Sequence, residues 1–187
     1  DTSVVRLLEA RFTLGEFDGP DLVSWKRIGP EVIGSSAHRQ LALDMARETM
    51  TLLQNRKNIL PLRRDLKIVV MGPNAVDSVA LLANYNGFPF STVTLLQGIQ
   101  SKAKNVTYIP GVGYTRNVDS ELFHNEFNKP KNKTDFSPAT PEQMAAKAKD
   151  ADVVIFCGGI SPKLEGEEMK VDAPGFKGGD RTTIELP

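Results

Sequence analysis

The sequence predicts an α/β fold with a mostly parallel sheet and helices on both of its faces. Two observations carry this. The strand-like segments Leu66-Lys67-Ile68-Val69-Val70-Met71 and Ala151-Asp152-Val153-Val154-Ile155-Phe156-Cys157 are nearly continuous apolar runs with no polar alternation, as expected of strands covered on both sides. They also alternate with helical patterns, which is the order of βαβ units.

The elements follow from local signals. Val4, Leu7, Leu8 and Phe12 recur at helical spacing over 3–13, with Thr2 or Ser3 as candidate caps and Gly15 as the stop. The turn-forming clusters Asp18-Gly19-Pro20, Ile28-Gly29-Pro30 and Gly34-Ser35-Ser36 make 18–36 a linker. Trp25, the one tryptophan, is expected there as an anchor buried against a neighbouring surface. A second helix is predicted over 37–54 from Leu41, Ala42, Met45, Ala46, Thr49, Leu52 and Leu53, capped by Ser35 or Ser36. After the first strand come a helix over 92–103, with Leu95, Leu96 and Ile99 inward, and a short strand at Val106-Thr107-Tyr108-Ile109. Residues 110–139 read as an irregular polar insertion. Thr140-Pro141-Glu142-Gln143 is a capping box with proline at the first helical position, leading Met144, Ala145 and Ala148 inward. Gly158-Gly159 ends the last strand, and Asp180 is the predicted cap of a final helix.

Composition narrows the classes of function. The chain has 187 residues, 40% hydrophobic and 25% charged, which is the profile of an ordinary globular protein. Its 23 basic residues balance 23 acidic ones, which argues against a general nucleic-acid binder and against a polybasic membrane-surface protein. One cysteine excludes an internal disulfide and a multi-cysteine metal site. No apolar run is long enough to span a bilayer, and the first residues lack a basic-then-apolar leader pattern.

Four segments could carry chemistry. Gly72-Pro73-Asn74-Ala75 lies where a phosphate loop would, but it has one glycine, lacks a nucleotide fingerprint, and spends a position on a proline with no N–H. No cofactor is expected. Ala83-Asn84-Tyr85-Asn86-Gly87-Phe88-Pro89 mixes polar and aromatic residues suited to sugar contact, or to an ordinary Asn-Gly surface turn. Cys157 ends an apolar strand, and neither His38 nor His124 stands in a pairing motif with it, so it reads as a buried structural thiol. Leu164-Glu165-Gly166-Glu167-Glu168 places three carboxylates within four residues. Their repulsion raises a carboxyl pKa toward the range of a general acid, although a solvated acidic loop or a weak cation site has the same pattern. Loops at the carboxyl ends of parallel strands are the usual place for a ligand, and two of these segments lie there.

The ordered set of motifs resembles family 3 glycoside hydrolases. Leu7-Leu8-Glu9-Ala10-Arg11-Phe12-Thr13-Leu14-Gly15-Glu16-Phe17-Asp18 resembles the end of their first domain. His38-Arg39-Gln40-Leu41-Ala42, Glu48-Thr49-Met50-Thr51-Leu52-Leu53-Gln54-Asn55 and Leu60-Pro61-Leu62 resemble the entry to the second. Gly72-Pro73-Asn74-Ala75, Asn84-Tyr85-Asn86-Gly87, Thr94-Leu95-Leu96-Gln97-Gly98-Ile99, Gly158-Gly159-Ile160-Ser161-Pro162, Leu164-Glu165-Gly166-Glu167-Glu168 and Gly179-Asp180-Arg181-Thr182 continue the match, which lapses around 115–134.

The resemblance implies a three-layer α/β/α sandwich, present in part, preceded by the last helix of a (β/α)8-type barrel. The expected organisation is a barrel tail helix at 1–17, a linker at 18–36 and a partial sandwich domain at 37–187. The implied activity is retaining, exo-acting β-glycosidase chemistry, of β-glucosidase or β-xylosidase type, on a β-linked oligosaccharide or an aryl or alkyl β-glycoside. By the same resemblance Glu165 matches the acid/base position, with Glu168 as the reserve assignment, and the nucleophile is an aspartate of the barrel domain. The chain is then a fragment of a longer enzyme, inactive alone, whose partner is that barrel. A periplasmic or secreted location is implied, and no metal or cofactor. The competing expectation is a non-enzymatic Rossmann-like module that binds or docks a sugar or small ligand.

Overall fold

A computed structural model describes residues 1–82, 87–110, 113, 139–162, 164, 171 and 174–185. The chain divides into two units, Asp1–Gln54 and Asn55–Pro187.

The first unit holds two helices. Helix α1, Thr2–Thr13, starts after Asp1, which makes no side-chain cap bond, so neither Thr2 nor Ser3 caps it. Its end is a Schellman motif. Gly15, at φ +66, donates its N–H to the Phe12 carbonyl, and Glu16 donates to the Arg11 carbonyl. The Arg11 guanidinium forks onto the Glu16 carboxylate and lies 4.9 Å from the Phe17 ring centroid. Lys26 Nζ donates to the Glu16 and Asp18 carbonyls at 2.9 and 2.7 Å, tying the following segment back to the helix end. That segment turns through short 3-10 stretches at Ser24–Arg27 and Pro30–Val32. Trp25 within it is 55% exposed. Val23, two residues earlier, is the buried residue, set against Gly15.

Helix α2, Ser36–Glu48, begins as expected, with the Ser35 side chain accepting from the His38 N–H. It stops six residues short of the predicted end. Thr49, Leu52 and Leu53 continue the apolar spacing, but two β-branched threonines at 49 and 51 favour leaving the helix.

The second unit contains the sheet. Strands β1 (Lys67–Met71), β2 (Asn105–Ile109) and β3 (Val153–Phe156) are all parallel, in the order β2-β1-β3. The register pairs Val69 with Thr107 on one side and Val154 on the other. Helix α3, Leu95–Gln100, links β1 to β2, and helix α4, Pro141–Ala148, precedes β3. Both open with a complete capping box, Thr94 with Gln97 and Thr140 with Gln143.

The two faces of β1 explain why its sequence lacks alternation. Ile68 and Val70 pack with Leu96, Ile99, Val106, Val153 and Ile155 on the α3 side. Val69 and Met71 pack with Ile109, Met144, Ala148 and Ala151 on the α4 side. Val70 is fully buried. Two details depart from the helical-face expectation: Leu95 is half exposed, and Ala145 is exposed while Met144 and Ala148 reach the core. Asp152 ties the amino end of β3 to β1, its carboxylate accepting from the Lys67 N–H at 2.8 Å and its own N–H donating to the Lys67 carbonyl at 2.9 Å.

The predicted helix at Asp180 is instead a β-hairpin. Strands β4 (Phe176–Lys177) and β5 (Asp180–Arg181) are antiparallel, joined by Gly178-Gly179. Gly178 has φ +65, and a two-residue glycine loop of this kind matches the twist of a hairpin. Phe176 faces Arg181 across the ladder, with the guanidinium 4.6 Å from the ring centroid. The expected insertion at 110–139 falls almost wholly outside the described residues.

Candidate functional site

Helices α3 and α4 lie on opposite faces, and the chain leaves β1 toward β2 and later returns to β3. The strand order therefore reverses between β1 and β3, and their carboxyl ends frame the switch point where doubly wound folds place ligands. Two loops meet there, Gly72-Pro73-Asn74-Ala75 after β1 and Gly158-Gly159-Ile160-Ser161 after β3.

The loops interlock through Cys157. Its N–H donates to the Met71 carbonyl at 2.7 Å, and its carbonyl accepts from the Asn74 N–H at 3.1 Å. Gly72 passes between these bonds at φ +104. A Cβ at Gly72 would overlap the Cys157 carbonyl and stand 2.9 Å from its nitrogen. Only glycine satisfies both the backbone angle and the approach. Pro73–Ala75 then forms a single 3-10 turn, and the Ala75 N–H is taken by the Gly72 carbonyl. The Asn74 and Ala75 amides are thus already engaged.

Beyond β3, Ser161 and Leu164 are each 3% exposed, and the Leu164 N–H closes a turn onto the Ser161 carbonyl at 2.9 Å. The described residues that follow β3 are thus buried at Ser161 and again at Leu164. Glu165, Glu167 and Glu168 themselves lie outside the described residues, as do Asn84, Tyr85, Asn86 and His124. Cys157 is a free, buried thiol whose pKa is raised by desolvation, as a structural cysteine requires. His38 is exposed on α2.

Sequence reasoning named Asn74 only as part of the Gly72-Pro73-Asn74-Ala75 loop. Its carboxamide lies against Gly159, where a Cβ would stand 3.9 Å from both amide atoms, and its Oδ1 is buried with no partner among the described residues. Polar groups lost from water in this way normally have a partner. Asparagine after a strand-ending Gly-Pro was the available signal. At the opposite, amino end of the sheet an open groove of about 400 Å³ is lined by Lys67, Lys104, Lys147 and Asp150. Among the described residues no three His, Cys, Asp or Glu side chains converge as a metal site, and no helix is long and apolar enough to cross a membrane.

A doubly wound α/β domain with its loops gathered at the switch point is the class this geometry defines. Residues 50–187 match the family model of the glycosyl hydrolase family 3 C-terminal domain. The whole chain aligns at 32% identity with a xylan 1,4-beta-xylosidase of Xylanibacter ruminicola and at 33% with a probable beta-D-xylosidase 7 of Arabidopsis thaliana, covering 36% and 21% of those proteins. Among solved structures, a GH3 exo-beta-xylosidase in complex with a xylobiose aziridine activity-based probe superposes with TM-score 0.64 at 29% identity, over 87% of this chain and 18% of that one. A beta-glucosidase from Listeria innocua in complex with glucose shares the fold, with TM-score 0.65 at 22% identity, over 98% of this chain and 21% of that one. The chain belongs to glycoside hydrolase family 3 and carries its C-terminal α/β sandwich fold. It spans between about a fifth and about a third of the relatives it matches.

Proposed function

We propose that this chain is the acid/base-bearing part of a retaining, exo-acting β-glycosidase, of β-xylosidase rather than β-glucosidase type. The family match over 50–187 carries the reading, and the names of the aligned relatives favour the xyloside. The burial of Ser161 and Leu164 after β3, the latter next to Glu165 in sequence, is in keeping with it.

In this chemistry two carboxyl groups flank the glycosidic bond, about 5–5.5 Å apart. Glu165 donates its proton to the glycosidic oxygen as the aglycone leaves and the nucleophile bonds to the anomeric carbon. It then removes a proton from the water that displaces the nucleophile. The like charges of Glu167 and Glu168 favour its protonated form before the first step. The nucleophilic aspartate belongs to the barrel domain with which this domain shares the substrate, a β-linked xylo-oligosaccharide or an aryl or alkyl β-xyloside.

The test is Glu165→Ala in the complete enzyme. Hydrolysis of alkyl and other poor-leaving-group xylosides falls by about 10²–10⁴-fold, the usual contribution of a positioned general acid. Dinitrophenyl xyloside, which needs no proton, keeps its first step, and azide restores its turnover by replacing water. Selective loss and azide rescue at Glu168→Ala instead moves the assignment to the reserve residue. The same loss at neither position overturns the reading.

A further inference from the structure

We propose that the open groove at the amino end of the sheet is a non-catalytic binding site for an acidic glycan, one whose sugars carry carboxylate groups. Lys67, Lys104 and Lys147 meet the carboxylates, and Asp150, Asn105 and Thr107 meet the sugar hydroxyls. The inference does not depend on which glutamate is the acid/base.

The three lysines come from three separate elements. Lys67 opens β1, Lys104 stands immediately before β2, and Lys147 lies in the last turn of α4. The register that sets Lys67 opposite Asn105 brings the first two to one edge, and with Lys147 they line a groove of about 400 Å³. That volume is in the range of small-molecule sites. All three side chains are exposed. Among the described residues, none of the three ammonium groups forms an ion pair or a hydrogen bond. Asp150 is the one carboxylate in the lining, so three positive charges stand against one negative, in a chain whose 23 basic and 23 acidic residues balance. The neighbouring Asp152 carboxylate is already engaged by the Lys67 N–H at 2.8 Å.

The lining also selects among anions. Planar, two-pronged recognition of a compact oxyanion calls for an arginine fork, and no arginine lines the groove among the described residues. A nucleotide calls for an aromatic face on which its base can stack, and no aromatic lines it either. Lysines on flexible stems act instead as separate point charges, which suits carboxylates spaced along a chain. A carboxylate among cations repels a bare phosphate but accepts from a sugar hydroxyl, and Asn105 and Thr107 add neutral hydrogen-bonding groups on β2. The groove lies at the opposite end of β1 from Gly72, about 15 Å away by the rise of a strand. A glycan held there is tethered to the domain and not cleaved.

The experiment measures the affinity of the complete enzyme for polygalacturonate, with dextran as a neutral glycan and inorganic phosphate as a small anion. Parent protein binds polygalacturonate saturably, and the affinity falls by about threefold or more between roughly 0.02 and 0.3 M salt, as screening shortens the reach of exposed charges. Combining Lys67→Gln, Lys104→Gln and Lys147→Gln lowers the affinity about tenfold, the loss expected of three exposed ion pairs, whereas Arg6→Gln, Lys57→Gln and Lys177→Gln together, outside the groove, leave it within about twofold. Lys147→Gln alone gives a smaller loss of the same sign and serves if the triple variant does not fold, which a thermal melt checks. Hydrolysis of an aryl β-xyloside is the same in every variant, so a failure of this site and a failure of the acid/base assignment are read from different assays. Absence of binding by the parent overturns the proposal, as does equal loss in both triple variants, which would make the attraction one of overall charge. Dextran bound as tightly as polygalacturonate removes the role of the carboxylates. Phosphate that displaces the polymer at equal charge concentration makes the groove a simple anion site and overturns the choice of a glycan.

Discussion

Gly72 is the residue on which the junction of β1 and β3 depends. Its φ of +104 and its contact with the Cys157 peptide act together, so Gly72→Ala meets a strained backbone and a backbone clash at once. Conformational strain of about 1–3 kcal/mol and overpacking of about 1–3 kcal/mol give a destabilisation of roughly 2–6 kcal/mol. Cys157 supplies the measurement. Its thiol is buried and its pKa raised, so in the parent protein it reacts slowly with iodoacetamide at neutral pH. Gly72→Ala should speed labelling at least tenfold alongside a lowered melting temperature. Labelling as slow as in the parent means the strand ends have found another way to accommodate a Cβ.

At the scale of elements, local chemistry decided which segments matched expectation. Helix α4 began where Thr140-Pro141-Glu142-Gln143 said it should, because a reciprocal capping box satisfies its own backbone groups and needs no tertiary partner. Glu142 in its first turn has a pKa lowered by hydrogen bonds, first from its own backbone N–H and then from Thr140. A carboxylate depressed in the folded state stabilises above its unfolded pKa, and that contribution is lost as pH falls through the folded value. The N-terminal turn of α4 should therefore fray as pH drops below about 4.3, the ordinary glutamate value, and amide exchange at 142–144 should rise there. In Glu142→Gln the exchange profile becomes flat across this range, and an unchanged profile would show the carboxylate plays no part. Helix α2 shows the opposite case. Apolar spacing continued to Leu53, but spacing is only a permission to be helical, and Thr49 and Thr51 withdrew it. The hairpin β4–β5 was missed for a similar reason. Asp180 is a good cap in isolation, whereas the pairing of Phe176 with Arg181 across Gly178-Gly179 involves residues five apart.

For the molecule as a whole, the sheet is covered unevenly. β1 is buried on both faces, but β3 leaves Val154 and Phe156 about half exposed, two residues apart on the face that also carries Val69 and Met71. Adjacent exposed apolar side chains can take up a hydrophobic probe. The 187-residue chain should accordingly bind a hydrophobic dye such as anilinonaphthalene sulfonate in its folded state. Val154→Lys with Phe156→Glu should cut that fluorescence by at least half without shifting the circular dichroism of the sheet. Fluorescence unaffected by the pair would locate the dye site elsewhere, for instance near Phe88 and Phe90, which are 95% and 79% exposed.

The sequence by itself determined the α/β class, the three parallel strands, the capping box at Thr140–Gln143 and the burial of Cys157. Each of these rests on burial periodicity or on bonds between near neighbours. It also supplied the ordered motifs by which the family was legible, and so the expectation for Glu165. Tertiary structure alone decided the exposure of Trp25, the passage of Gly72 between the two Cys157 hydrogen bonds, and the burial of the Asn74 oxygen beside Gly159. The last two join residues about 85 apart in the chain. No local pattern encodes such contacts, because they exist only once the strand order β2-β1-β3 has brought two loops to one edge.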